Sequence, residues 1–147
     1  ETLLQLSLSA MLGGLIGLER EYKRKEAGLR TFSLVCLGST LFTMVSLETF
    51  FLLSESKNIA FDPSRIIQAI AVGIGFIGGG LIIYRRFKIE GLTTAAGLWV
   101  TSAIGIAIGA RLYFIAFTTS LLTIAILAIL KSLERKVFDR KDEKQNL

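Results

Sequence analysis

An uncharged apolar run of 19 residues, from Ile66 to Tyr84, limits what this chain can fold into more than any other feature of its sequence. As an α-helix at about 1.5 Å per residue, the run rises about 28 Å, which is close to the hydrocarbon thickness of a bilayer, about 30 Å. A soluble helix of this length needs a charged or polar side facing water, and this run lacks one. We therefore predict that it crosses a membrane.

Four more apolar runs lead to the same interpretation, so we predict an all-α, polytopic membrane protein with a bundle of five transmembrane helices. The predicted spans are residues 2–18, 31–53, 66–84, 93–110 and 112–130. They form one transmembrane domain, residues 1–130, and a short charged tail follows at 131–147. Spans four and five could instead be a single helix of 38 residues, but Gly109 and Arg111 at its midpoint favour a break.

The loops between these spans carry positive charge unevenly. Of the 17 Lys and Arg residues, all but Lys57, Arg65 and Arg111 lie in the loop after span one, the turn after span three, and the tail. Short loops rich in Lys and Arg stay on the cytoplasmic side of a membrane. The N-terminus is therefore expected outside and the C-terminus in the cytoplasm.

The residues present exclude most mechanisms of soluble enzymes. The chain has no His and a single cysteine, Cys36, so a zinc site, an internal disulfide and a His-dependent triad cannot be built. Gly73 to Gly78 match the dinucleotide pattern G-x-G-x-x-G, but that motif requires a strand-to-helix turn, and here it lies within an apolar run. The net charge of +5 sits in short loops rather than on one basic face, so no nucleic-acid partner is expected. We predict a non-enzyme without a resident cofactor or metal.

Glycines recur at the small-xxx-small spacing that lets membrane helices approach closely. The three pairs are Gly13 and Gly17, Gly75 and Gly79, and Gly105 and Gly109. Such pairs are expected to pack helices within one bundle, or to contact a second subunit or another membrane protein. Because glycine weakens a helix, a local break between Gly73 and Gly80 that lines a cavity is a further alternative.

Two similar turns precede spans two and four on the predicted cytoplasmic side, Gly28 to Thr31 and Gly91 to Thr94. Their threonines could cap the free N–H groups of a helix, and a helix N-terminus beside basic residues attracts anions. The turns are expected to be plain caps or, alternatively, an anion or lipid-headgroup site. The candidate residues for that site are Arg20, Gly28, Arg30, Thr31, Arg85, Arg86, Gly91, Thr93 and Thr94.

A path for magnesium would need oxygen ligands across the membrane. Glu48 is the only acid well inside a predicted span, and Gln68 and the glycines of span three are the other candidates. Glu19 and Glu21 border span one, but the basic residues around them repel a divalent cation. The sequence thus gives transport little direct support, and Glu48 and Gln68 are the candidate path.

Four motifs, in this order along the chain, resemble those of the MgtC/SapB family of bacterial inner-membrane proteins. They are Gly17-Leu18-Glu19-Arg20, Ala27-Gly28-Leu29-Arg30-Thr31, Gly73-Ile74-Gly75-Phe76-Ile77-Gly78-Gly79-Gly80 and Gly91-Leu92-Thr93-Thr94-Ala95-Ala96-Gly97-Leu98-Trp99. Glu19, Arg20 and Trp99 are the charged and aromatic members of these motifs that we single out. The resemblance covers about residues 8–109.

The resemblance implies a five-span bundle with a cytoplasmic C-terminus, which agrees with the charge distribution. Family members are tied to growth in low magnesium and to survival of pathogens in macrophages. They were named as magnesium transporters, while some act as regulators that bind membrane complexes such as the F-type ATP synthase. Many carry a cytoplasmic ACT-like domain. The present sequence is therefore expected to be either a short member or a piece of a longer one.

These observations lead to three hypotheses about function. The first is a non-enzymatic, homo-oligomeric regulator that acts through helix contacts at its glycine-rich faces during magnesium limitation or stress. The second is a transporter of magnesium or a small solute, with magnesium as substrate or signal. The third is a sensor of an anionic ligand at the cytoplasmic surface.

Overall fold

The computed structural model describes residues 1–53, 62–85 and 87–130. Its elements are α1 (Thr2–Tyr22), α2 (Leu29–Leu53), α3 (Ser64–Leu81), β1 (Ile83–Arg85), β2 (Lys88–Glu90), α4 (Leu92–Gly109) and α5 (Tyr113–Ala125), and a π-helical turn (Ile126–Leu130) continues α5. Within the described ranges, five helices are long and apolar enough to span a membrane, which confirms the predicted fold class. The charged tail at 131–147 lies outside the described residues, as do Lys57 and Arg86.

Helix α4 lies at the centre of the bundle and packs against the other four helices. Ten of its 18 residues are buried, and Leu98, Ile104 and Ile108 are completely or almost completely enclosed. Helix α1 packs along α2, and Ile16 and Phe32 complete the core between them and α4. The core therefore follows the length of α4.

Helix α3 lies at the edge of the bundle. It packs mainly on α4, and of its residues only Ile74 and Gly78 are buried. Gly78 faces α4, where a Cβ built at this position would lie 3.4 Å from the Cβ of Ala95. Most of the α3 surface is free of contacts within the described chain.

Span three ends earlier than the sequence indicated, and our boundary at Tyr84 is wrong. Helix α3 stops at Leu81, and the next residues form an antiparallel hairpin that pairs Ile83 with Glu90 and Tyr84 with Ile89. Gly91 closes the hairpin with φ of 89°, and a Cβ there would lie 2.1 Å from the main-chain oxygen of Leu81. Only glycine fits this close return of the chain, which starts α4 beside the end of α3.

Helices α4 and α5 are separate, so the single 38-residue helix is excluded. The N–H of Leu112 donates to the oxygen of Ala107 (2.8 Å), and that of Arg111 to the oxygen of Ile108 (3.0 Å). With Arg111 at φ 63°, this is a Schellman motif that has arginine where glycine is usual. The same motif ends α1, with Arg24 at φ 50°.

Candidate functional site

The residues of the two predicted cytoplasmic turns lie at one end of the bundle, which we call the basic end. It consists of the α1–α2 loop, the β-hairpin and the end of α5. The opposite end holds the N-terminus and the α4–α5 turn, where Glu1 and Arg111 form an exposed ion pair (3.2 Å).

Arg20 is buried at the basic end, with 2% of its surface exposed. Its Nη2 donates to the main-chain oxygen of Leu127 (3.2 Å), and its guanidinium pairs with Glu19. Lys23 donates to the same Leu127 oxygen (3.0 Å) and pairs with Glu19 Oε1 (2.5 Å). Hydrogen bonds from charged donors are stronger than those between neutral groups. Arg20 therefore connects α1 to the end of α5, and its charge is not free for an external anion.

The N-terminus of α2 already holds a carboxylate from the chain itself. Glu21 Oε2 accepts a hydrogen bond from the N–H of Leu29 (2.9 Å). A Cβ at Gly28 would lie 2.7 Å from that same oxygen, so glycine makes room for the carboxylate. Glu21 thus occupies the position that a bound anion would take at this turn.

A second carboxylate reaches the start of α4. Thr94 is buried, with 1% of its surface exposed. Its hydroxyl donates to Glu26 Oε2 (2.6 Å). This hydrogen bond, together with a main-chain one, holds the pKa of Glu26 below its ordinary value of 4.5. Our expectation that Thr94 caps its own helix is wrong, because Gly91 is the N-cap of α4 and no side-chain cap bond is present there. The reason is the position of Thr94, because an N-cap hydroxyl must precede the helix to accept hydrogen bonds from its free N–H groups, whereas Thr94 lies three residues after Gly91 within α4.

The other residues predicted for an anion site do not converge on one centre. Thr93 and Arg30 are exposed, whereas Thr31 is half-buried on the side of α2 that faces α3. Arg86 and the side chain of Arg85 lie outside the described residues. Trp99, the aromatic residue of the fourth motif, is 55% exposed on the outside of α4.

The three glycine pairs fall into two classes. At Gly13, Gly17, Gly105 and Gly109, a Cβ would come within 2.8 Å of a neighbouring helix or loop, and at Gly105 within 2.3 Å of the Cys36 oxygen. At Gly75 and Gly79, no atom lies within 4 Å of a built Cβ. The first two pairs are thus used inside the chain, whereas the pair on α3 faces outward.

The candidate transport residues lie on the outside. Glu48 and Gln68 are both exposed, and neither faces the bundle interior. Buried hydroxyls donate instead to main-chain oxygens, as Thr40 does to Gly105 (2.8 Å). Among the described residues, no three His, Cys, Asp or Glu side chains cluster as metal ligands would.

Sequence reasoning missed several polar residues that hold the ends of the bundle together. Gln5 is buried at the end opposite the basic end, and its Nε2 donates to the oxygens of Ile108 (2.8 Å) and Gly109 (3.3 Å) at the end of α4. The only signal for Gln5 was its polarity within an apolar run, and no signal identified Glu26 as a partner of Thr94.

Comparison with known proteins agrees with the resemblance seen in the motifs. The sequence profile described as "MgtC family" matches residues 6–136. The chain is 40% identical over 140 residues to "Putative magnesium transporter YhiD" of Escherichia coli K12, covering 95% of this chain and 65% of that protein. It is 36% identical to "Protein SapB" of Bacillus subtilis, covering 98% of this chain and 63% of that protein. It is 40% identical to "Protein MgtC" of Brucella abortus, covering 84% of this chain and 48% of that protein.

No solved structure matches the chain. The chain spans about half to two thirds of the length of these three relatives. The family match nevertheless covers most of the chain, from within α1 to beyond the π-helical turn. This protein, with its five membrane-spanning helices, belongs to the MgtC family.

Proposed function

We propose that this protein is a non-enzymatic regulator of the bacterial inner membrane that binds transmembrane helices on one outward face of α3. The observation that carries the proposal is the contrast between the glycine pairs. Gly75 and Gly79 have open space where the other pairs have a packed neighbour. We call the face that contains them the α3 outer face, defined by Gln68, Val72, Gly75 and Gly79.

These four positions follow the i, i+4, i+7 and i+11 spacing, which places them on one side of a helix. Glycine there costs helix stability, about 1 kcal/mol each relative to alanine, without a packing gain inside the chain. Gln68 forms no hydrogen bond in the part of the chain that the structure describes. Small residues beside a side chain that can hydrogen bond across helices are typical of membrane helix interfaces.

Two occupants fit this face. One is another copy of the chain, and the other is a helix of a different membrane complex. The resemblance suggests the F-type ATP synthase as one such complex, and magnesium limitation or stress as the condition in which it is bound. Close approach at Gly75 and Gly79 would bring main chains together, and dispersion forces would then stabilise the contact.

The experiment introduces Val72→Cys on the α3 outer face and measures disulfide cross-linking between copies in native membranes. The chain's own cysteine, Cys36, is buried and does not interfere. We expect cross-linked dimers, and we expect Gly75→Leu with Gly79→Leu to abolish them. Gly38→Leu is the matched control, since Gly38 also has open space at its Cβ but lies on α2. Cross-linking that survives the double substitution would contradict the contact model.

Transport is the second candidate, because the name of the Escherichia coli relative refers to magnesium transport. Glu48 and Gln68 are exposed on the outside of the single bundle, so a path through them would have to form between copies or with a partner. Sealed vesicles that contain purified protein and an internal magnesium dye test this candidate. Protein-dependent uptake that Glu48→Gln removes would favour the carrier over the regulator.

A sensor of an anionic ligand within the two turns themselves is the candidate with the least support. Glu21 and Glu26 lie at the two turns where the ligand was expected, and Arg20 is already bound to Leu127 and Glu19.

A further inference from the structure

A groove of about 740 Å³ runs between α2 and α3, on the side of α3 away from the α3 outer face. Its walls are apolar, with Leu34, Phe42, Ile70 and Ile77 among the lining side chains. Gly38 on α2 and Gly73 on α3 also line it, and a Cβ built at either would have no atom within 4 Å. The groove is therefore open where both helices lack a side chain.

The groove is shorter than a membrane is thick. Each wall extends over about 16 Å at about 1.5 Å per residue, from Thr31 to Phe42 on α2 and from Ile66 to Ile77 on α3. Because α3 runs towards the basic end, its wall extends further from that end than the α2 wall does, and the groove as a whole passes the middle of the bilayer. A transmembrane helix, about 30 Å long and about 10 Å wide, would occupy roughly three times its volume. The groove thus fits a single flexible acyl chain better than a helix.

Positive charge lies at the end of the groove that borders the basic end. Arg30 is exposed and stands one helical turn before Leu34, so both are on the same side of α2. Within the described ranges, Arg30 forms no ion pair. Lys88 of β2 is exposed at the same end of the bundle. Unpaired basic residues just outside the hydrocarbon attract anionic headgroups.

We propose that this groove is a phospholipid site, which holds one acyl chain of an anionic lipid from the leaflet at the basic end, with its headgroup phosphate at Arg30. An apolar void open to the bilayer is filled because its walls gain dispersion contacts that an empty space does not supply. The absence of side chains at Gly38 and Gly73 makes the groove wide enough for an acyl chain. The positive charge of Arg30 favours lipids with an anionic headgroup. The site is independent of the helix contacts proposed for the α3 outer face.

The test is native mass spectrometry of the purified protein with phosphatidylglycerol or phosphatidylcholine added as the probe. We expect the protein to retain one phosphatidylglycerol more strongly than one phosphatidylcholine. Gly38→Leu and Gly73→Leu should each fill the groove and remove this bound lipid. Gly75→Leu is the matched control, because it adds the same side chain two positions away on α3, outside the groove, and should leave retention unchanged.

Arg30→Gln supplies a second measurement that does not alter the groove. It should keep the bound lipid but reduce the preference for phosphatidylglycerol about fivefold, as expected for the loss of one basic residue near a membrane surface. Phosphatidylglycerol should also raise the melting temperature of the parent protein and of Gly75→Leu, but not that of Gly73→Leu.

Retention by Gly38→Leu and Gly73→Leu equal to that of the parent protein would overturn the proposal. A change in oligomer mass rather than in lipid number would also overturn it, because the groove would then hold a second copy of the chain. The cross-linking result at Val72→Cys does not decide between these outcomes, so failure of one proposal is distinguishable from failure of the other.

Discussion

Arg20, near the end of the first helix, donates from Nη2 to the main-chain oxygen of Leu127, 107 residues further along the chain, at 3.2 Å. Leu127 lies in the π-helical turn that ends the described part of α5. A π-helical turn changes the carbonyl pattern of a helix, and here one carbonyl receives both Arg20 and Lys23. The start of the α1–α2 loop is thereby tied to the segment that leads into the tail.

We expect Arg20→Ala to lower the free energy of unfolding by about 2 kcal/mol, because a buried hydrogen bond from a charged group is lost. Lys23 still pairs with Glu19 in this variant, which limits the loss. Thermal unfolding in detergent measures the effect. Arg24→Gln, at an exposed position of the following loop, is the control and should leave unfolding unchanged. An Arg20→Ala protein as stable as the control would mean that the contact contributes nothing.

A residue in the left-handed conformation follows the end of α1, and replacing it with glycine should stabilise the protein rather than destabilise it. Arg24 has φ of 50°, where a side chain costs about 1 kcal/mol relative to glycine. Arg24→Gly should therefore stabilise the protein by about that amount. Arg24→Ala removes the same side chain but keeps the strain, so it should have little effect. Equal melting temperatures for the two variants would show that the backbone strain is not relieved.

The two classes of glycine predict opposite effects of the same substitution. Gly105→Ala should destabilise the bundle by about 1–3 kcal/mol, because its Cβ would lie 2.3 Å from the Cys36 oxygen and force α2 and α4 apart. Gly79→Ala should stabilise α3 by about 1 kcal/mol, since its Cβ meets no atom within 4 Å. Chemical or thermal unfolding of the two variants side by side checks both signs.

The hydrogen bond between Thr94 and Glu26 should make stability depend on pH. The pKa of Glu26 is lower in the folded protein than its ordinary value of 4.5, so the ionised form is favoured by folding. The contribution of Glu26 to the free energy of unfolding is fully present above about pH 4.5. It is lost as the pH falls through the lowered pKa. Thr94→Val should therefore melt below the parent protein at pH 7, and the difference should shrink towards pH 3. A difference that stays constant would assign the effect of Thr94 to packing alone.

The orientation of the bundle remains a prediction that chemical labelling can check. A membrane-impermeant maleimide should label Arg111→Cys from outside intact cells and Arg24→Cys only after the cytoplasmic side is opened. Both positions are exposed, and the buried Cys36 supplies an unreactive background. The reverse pattern would place the basic end outside.

The five spans could be predicted from sequence because each is a long apolar run, without charge except for Glu48 in span two, and lipid requires such runs to be helical. The end of span three could not be predicted in this way. Ile82, Ile83 and Tyr84 are as apolar as the helix before them, and only the return of the chain to Gly91 turns them into a hairpin. Hydropathy reports burial in lipid, not the hydrogen-bonding pattern of the last residues.

The side-chain roles were harder to predict because their partners are far away in sequence. Arg20 was a candidate for an anion site at the cytoplasmic surface, and the Leu127 carbonyl to which it donates has no sequence signal. Likewise, the spacing of Gly75 and Gly79 is the same as that of Gly105 and Gly109, yet only the latter pair meets a neighbouring helix. Spacing identifies glycines that permit close approach, but the order of helices in the bundle decides which are used.

The two ends of α1 have a consequence for biosynthesis. Gln5 at one end and Arg20 at the other bind main-chain acceptors at Ile108 and Leu127, more than 100 residues later, although Arg20 also pairs with its neighbour Glu19. Ribosomes deliver the N-terminal segment first, so both side chains enter the bilayer before those acceptors exist. The helix that is made first is therefore completed last, and a chain interrupted during translation before α5 already has the acceptors of Gln5 but lacks the Leu127 carbonyl that Arg20 binds.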